Sequence, residues 1–220
     1  IKTQKVTVSN LNSENPVLTA AVEVTNTGVT YSGKEVVQIF VSCPQGSRVK
    51  EYRRLAGFAK TKELAPGEKQ SLSITFPLYQ LTSYEEETAS WVLDGGNYGI
   101  WVGNSLSDAK LCAVLSLDQS AVMVSGSNIC KRQRELAEIT PDQAKLLEKQ
   151  KAWEAIAKEE NLPNLQIKSD QIQTKTISYN ADQEPFTGRA KEIVENMTTD
   201  QLLLLATGDI RMGQGSAIGN

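Results

Sequence analysis

The feature that most constrains this chain is a period-two alternation, repeated in short runs with turn signals between them, from Val6 to about Leu117. Successive side chains of a strand point to opposite faces, so apolar–polar alternation marks a half-buried strand. KVTVSNL places Val6 and Val8 on one face. VLTAAVEVTNTG sets Leu18, Ala20, Val22 and Val24 inward against Thr19, Ala21 and Glu23. KEVVQIFVSCP does the same with Val36 or Val37, Ile39 and Val41, and LAGFAKT, QSLSITFPL, ASWVLDGG, NYGIWVGNS and KLCAVLSL follow. Turn signals stand between the runs: Asn26–Gly28, Ser32-Gly33, Pro44–Gly46, Pro66-Gly67 and Asp94-Gly95-Gly96. Roughly seven to eight short strands with such punctuation predict an antiparallel β-sandwich over residues 1–118.

The composition narrows the chemistry. The net charge of −3 gives no basic excess for nucleic acid or an anionic membrane. No apolar run of about 18 residues is present to cross a bilayer. The chain has no histidine, which removes Ser-His-Asp and Cys-His catalysis and His-ligated metal sites. Acid–base work would fall to carboxylates, Lys or Tyr. Three cysteines, Cys43, Cys112 and Cys130, are too irregularly spaced for a disulfide framework or zinc ribbon. They read as small buried hydrophobes, with a Cys43–Cys112 or Cys112–Cys130 bridge as the alternative in an oxidising compartment. Free cysteines favour the cytoplasm, and secretion stays open. Because residue 1 is Ile within a strand-like run, the chain is expected to be cut from something longer.

Trp91, Tyr98 and Trp101 are the bulky residues of the first half. The alternation places both tryptophans on inward faces, so they are expected in the core rather than on a sugar- or base-stacking surface. Tyr98 suits a corner that bonds its hydroxyl to backbone. Lys50-Glu51-Tyr52-Arg53-Arg54 offers a docking surface or plain solvated loop charge. Glu85-Glu86-Glu87 lacks the spacing of a calcium loop, so no metal is expected there.

These residues carry a family pattern as well. Asn26-Thr27-Gly28, the Gly33–Gln38 run GKEVVQ, Leu55–Lys60 (L-x-G-F-x-K), Leu64–Glu68 (L-x-P-G-E) and Trp91–Gly103 (W-x-x-x-x-G-x-Y-x-I-x-V-G) occur in order. Together they resemble the fibronectin type III-like domain of family 3 glycoside hydrolases, over about 100 residues. The resemblance implies a mainly β, immunoglobulin- or fibronectin-like sandwich. It also implies an accessory role beside the barrel and α/β domains, where β-glucosidases and related exo-glycosidases do their chemistry.

After Leu117 the pattern changes, and residues 119–186 read as a linker or wrapping segment. One more extended run reaches Val122 and Val124. ITPDQAKLLEKQKAWEAIAKEENLP predicts a helix over about 141–160, capped by Thr140 with Pro141 first and Gln143 closing a capping box. Its apolar side is expected to carry Leu147, Trp153, Ile156 and Ala157. Residues 164–186 are polar and read as a strap lying on another domain. A short helix over Gly188–Asn196 should turn Ile193 and Val194 inward. Thr198 and Gln201 form a second capping box before LLLLA, and Gly208 suits the helix end.

ENMTTDQLLLLATG resembles the opening of the catalytic barrel in the same family. The resemblance implies that 187–220 is a truncated barrel start and that the domain order is the reversed one known for some members. Gly213, Gly215 and Gly219 follow a helix at G-x-G-x-x-x-G spacing, which does not fit a dinucleotide fingerprint. Asp209 and Arg211 either line a sugar site in the parent or are solvated loop charges. Asn196-Met197-Thr198 is a glycosylation sequon.

Retaining glycosidases need two carboxylates about 5–5.5 Å apart. The family nucleophile lies in an S-D-W-type motif, which this chain lacks. No catalytic, cofactor-binding or metal-binding residue is therefore assigned, and no cofactor is expected. The expected partners are the remaining catalytic domains of the same polypeptide and, through them, a carbohydrate substrate. A homo-oligomer through an exposed C-terminal helix is an open alternative. So is a stand-alone carbohydrate-binding, adhesion or scaffold module.

Overall fold

A computed structural model describes residues 1–46, 48, 50–129, 131–134, 137, 139–178 and 188–207. The chain divides into two compact units, Ile1–Ser178 and Tyr179–Asn220. The first is mainly β. Its strands are β1 (Lys2–Ser9), β2 (Val17–Thr25), β3 (Val36–Ser42), β4 (Arg54–Lys60), β5 (Lys69–Pro77), β6 (Ser83–Glu85), β7 (Ser90–Leu93), β8 (Gly96–Gly103), β9 (Lys110–Leu117), β10 (Ala121–Ser125), β11 (Asn164–Ile167) and β12 (Lys175–Thr176). A 3-10 turn, Leu78–Leu81, links β5 to β6, and helix α1 (Gln143–Glu159) links β10 to β11.

The strands form three sheets in the orders β1-β2-β5, β12-β10-β7-β6 and β11-β9-β8-β3-β4. Their inward residues share one core. Leu18, Ala20, Val22 and Val24 of β2 meet Val37, Ile39 and Val41 of β3, with Tyr98, Ile100 and Val102 of β8 and Ala113, Leu115 and Leu117 of β9. Alternation is clearest in β2, where one face is buried and the other only half-buried.

A second apolar layer lies on the outer face of the five-stranded sheet. Phe40, Trp101, Leu111 and Val114 pack there under Trp153 and Ala157 of α1. A bulge makes this possible. The β8–β9 register shifts between Ile100 and Trp101, so Leu111 points outward while Ala113 points into the main core. Gly99 leaves room for the helix, since a Cβ there would lie 3.2 Å from Trp153 and 3.2 Å from Leu111.

The helix is capped differently from the sequence expectation. Asp142, not Thr140, is the N-cap, and its carboxylate accepts from the Lys145 amide. The Asp side chain sits three residues before that amide, the spacing that an N-cap requires. The buried positions are Leu146, Trp153 and Ala157, while Leu147 and Ile156 are exposed. The spacing of 146, 153 and 157 is what brings one stripe against the sheet.

Segments expected to wrap another domain complete this one. β11 pairs in parallel with β9, and β12 with β10. Ile167 and Ile172 enter the main core. Asp118 fastens the connection by accepting from the amides of Ser169 at 2.7 Å and Gln119 at 2.8 Å.

In the second unit, α2 runs Arg189–Glu195 and α3 runs Thr199–Thr207. The Thr198–Gln201 capping box is formed: the Thr198 amide donates to Gln201, and the Gln201 amide to the Thr198 hydroxyl. Ile193 and Val194 are exposed rather than inward, as are Leu202, Leu203 and Leu204. A seven-residue helix offers too little surface to bury its own apolar side chains. Gly208, Asp209, Arg211, Gly213, Gly215 and Gly219 lie outside the described residues, as does Cys130.

Candidate functional surface

The motifs of the first half build the scaffold. The Asn26 side chain donates to the carbonyls of Tyr31 and Leu64, at 3.0 and 2.9 Å, and accepts from the Gly28 amide at 2.9 Å. It closes the N-T-G turn against the next hairpin. There, Gly67 takes a positive φ of 79° after Pro66, and Glu68 accepts from the Ala65 amide at 2.9 Å. Tyr98 is fully buried and donates its hydroxyl to the Asp94 carbonyl at 2.6 Å. Burial pushes its phenol well above the ordinary range. It is a structural corner, not an acid.

The basic run near Lys50 is turned inward. Lys50 is buried and lies 2.5 Å from the Asp94 carboxylate, which also pairs with Arg48 at 2.5 Å. Arg48 also pairs with Glu85. Arg54 pairs with Glu51 and donates to the carbonyls of Gln80 and Thr82. Burial pushes Glu51 up, but the hydrogen bond from Arg54, a backbone hydrogen bond and the charges of Arg54 and Lys50 together hold the carboxyl below its ordinary value. Arg53 stacks 3.4 Å above the Trp101 ring. These charges hold loops and rings together, with Lys50 buried and Glu51 still exposed. Glu86 pairs with Arg132 at 3.3 Å. Among the described residues no group of three or more His, Cys, Asp or Glu is placed to hold a metal ion.

Both described cysteines are free thiols, so a Cys43–Cys112 bridge is absent. Cys43 sits in the main core, and Cys112 donates to the Ile100 carbonyl at 3.2 Å. Burial raises each thiol to about 11.

The two tryptophans part company. Trp101 is buried, donating to the Ser42 hydroxyl at 3.0 Å, but in the layer under α1 and not between the sheets. Trp91 is exposed, against the sequence expectation. It lies near the start of the short strand β7, opposite the point where the β10 register shifts between Val122 and Val124. Tyr79 stands 5.6 Å from its ring at 60°, and Tyr84 5.2 Å away at 56°. The sequence reading missed Tyr79 and Tyr84. Their signal was LYQLTSY, where Leu78 and Leu81 are buried and the tyrosines between and after them are left outside.

Beside this cluster an open groove of ≈ 550 Å³ runs along Leu55, Ala56, Gly57, Phe58, Thr75, Phe76 and Gln80. A separate polar cleft of ≈ 440 Å³ opens near Asn26, Lys34, Glu35, Asn104 and Asp108.

The family model of the fibronectin type III-like domain matches residues 35–106. Those residues are a fibronectin type III-like domain. They include the L-x-G-F-x-K strand, the L-x-P-G-E hairpin and the Tyr98 corner. Among curated proteins, Beta-glucosidase A of Butyrivibrio fibrisolvens is 40% identical over 98 residues, 43% of this chain and 12% of the relative. Beta-glucosidase of Ruminococcus albus is 35% identical over 115 residues, 50% of this chain and 12% of the relative. The solved β-glucosidase of Paenibacillus barengoltzii overlays with a TM-score of 0.55 at 34% identity, covering 58% of this chain and 15% of that one. This chain thus spans about an eighth of the curated relatives it matches.

Proposed function

We propose that this chain is the accessory, non-catalytic portion of a family 3 glycoside hydrolase of β-glucosidase type. In the parent, terminal non-reducing sugars would be hydrolysed by a retaining mechanism whose carboxylates lie outside these residues. One observation carries the reading: the fibronectin-like domain matches β-glucosidases only over a small part of their length. The fate of the charged and aromatic motifs supports it, since Asp94, Glu85, Lys50 and Tyr98 are engaged in holding the fold.

The second unit is read as the start of the catalytic barrel, in a parent of reversed domain order. Its support is the resemblance of ENMTTDQLLLLATG to that segment, with leucines left exposed on α3.

An aryl β-glucoside assay tests the proposal. The 220-residue chain should show no turnover, and the full-length protein should release the aglycone with retention of configuration. Turnover by the isolated chain would overturn the accessory role. A carbohydrate-binding reading draws on the exposed Trp91 cluster. Calorimetry with soluble β-glucans distinguishes it, because only a binding module would give heats abolished by Trp91→Ala.

A further inference from the structure

We propose that Lys131-Arg132 is a processing site, where a protease specific for paired basic residues cuts the Arg132–Gln133 bond, and that the two pieces of the module stay assembled after the cut. The site is separate from the glycosidase reading above and does not depend on it.

The sequence contains two adjacent basic pairs, Arg53-Arg54 and Lys131-Arg132. The fold treats them oppositely. Arg53 lies 3.4 Å from the Trp101 ring centre. Arg54 opens β4, pairs with Glu51 and donates to the carbonyls of Gln80 and Thr82. A protease cleft takes an extended segment, with the basic side chain seated in an acidic pocket. The first pair reaches such a cleft only if the sheet comes apart.

Lys131, Arg132, Gln133 and Arg134 are all exposed and belong to no helix or strand. They lie in the connection from β10, which ends at Ser125, to α1, which starts at Gln143. Connections longer than about 15 residues are uncommon in compact domains, and exposed ones concentrate proteolytic cutting. Arg132 pairs with Glu86 at 3.3 Å, the two side chains being 35% and 44% exposed. A surface pair of this kind holds weakly and opens readily. Arg134 adds a third cation to the run, which suits an acidic cleft.

The cut is a hydrolysis. Water adds to the Arg132 carbonyl carbon and the C–N bond to Gln133 breaks. Arg132 keeps the hydroxyl as a carboxylic acid, which passes its proton to the new amino group of Gln133.

The piece that begins at Gln133 is held by contacts that the cut does not touch. Trp153 and Ala157 of α1 pack with Phe40 and Trp101, while Ile167 and Ile172 enter the main core. β11 pairs with β9, and β12 with β10. The Gln45 amide donates to the Gln150 side chain at 2.8 Å, and the Asn12 amide to the Gln171 carbonyl at 2.7 Å. Processing therefore converts α1, β11 and β12 into a separate chain that burial and strand pairing keep in place.

Kexin, a protease that cuts after paired basic residues, tests this on the 220-residue chain. Cleavage after Arg132 should be at least about a hundredfold faster than after Arg54, read from the intact masses of the fragments. The cut chain should elute as one species in size exclusion and separate only in denaturant. The variant Lys131→Gln, Arg132→Gln should lose this cut. Both positions are exposed, so the variant should melt within about 3 °C of the parent chain. Resistance of the chain under conditions where kexin cuts an unstructured peptide bearing K-R-Q-R would overturn the processing site. Equal cutting after Arg54, or unchanged cutting of the variant, would overturn it too. Fragments that separate without denaturant would overturn the assembled product.

Discussion

The fibronectin-like module has two apolar layers that were built differently. The main core lies between sheets and draws on alternating strands, with Leu18, Ile39, Phe76 and Tyr98 fully enclosed or nearly so. The outer layer lies between one sheet and α1 and depends on Phe40, Trp101 and Leu111 facing away from that core. The first layer requires only that each strand keep its parity. The second requires a bulge, a glycine and a helix arriving from forty residues downstream. The module is therefore larger than its repeating pattern, since α1, β11 and β12 belong to its packing and not to a free linker.

Emptying each layer in turn separates their contributions. Phe76→Ala should cost about 4 kcal/mol and lower the single cooperative transition of the whole module, followed by urea denaturation. Trp153→Ala should cost about 3 kcal/mol, with α1 losing its exchange protection before the sheets do. If both variants melted with the same exchange pattern, the two layers would be one cooperative unit.

Alkaline pH probes the main core alone, because both described thiols border it and neither lies under α1. Burial raises Cys43 and Cys112 to about 11 from 9.0. The unfolded chain gives up those protons near 9 while the folded chain keeps them. Their stabilisation is therefore complete below pH 9 and declines as pH rises toward 11, by about 2 kcal/mol per thiol. Thermal melts from pH 8 to 11 should show this fall, and Cys43→Ala should flatten part of it.

The smallest expected effect is at the corner. Tyr98→Phe removes the hydroxyl that donates to the Asp94 carbonyl, at about 1–2 kcal/mol, with the ring still packed. A much larger loss would mean that the corner also positions Asp94 between Lys50 and Arg48.

Much of the scaffold was legible because its signals are local. The inward set of β2, the Pro66-Gly67 turn, the Tyr98 corner and the Thr198–Gln201 capping box each depend on residues within a few positions. The candidate surface was less so. Trp91 and Trp101 sit ten residues apart with similar surroundings in sequence, yet one is exposed beside two tyrosines and the other is buried under a helix. What separates them is the cover: Trp153 and Ala157 of α1 lie over Trp101, and that helix is remote from both tryptophans in sequence.

By itself the sequence determined the mainly β class, most strand positions, the family of its fibronectin-like domain and the absence of histidine chemistry. Those follow from periodicity and residue type, which are properties of neighbours along the chain. Only the tertiary structure decided that Lys50 would be buried against Asp94, that 164–176 would pair in parallel with β9 and β10, and that an aromatic face would be left uncovered. Those outcomes depend on which distant segments meet, and a period of two does not encode distance.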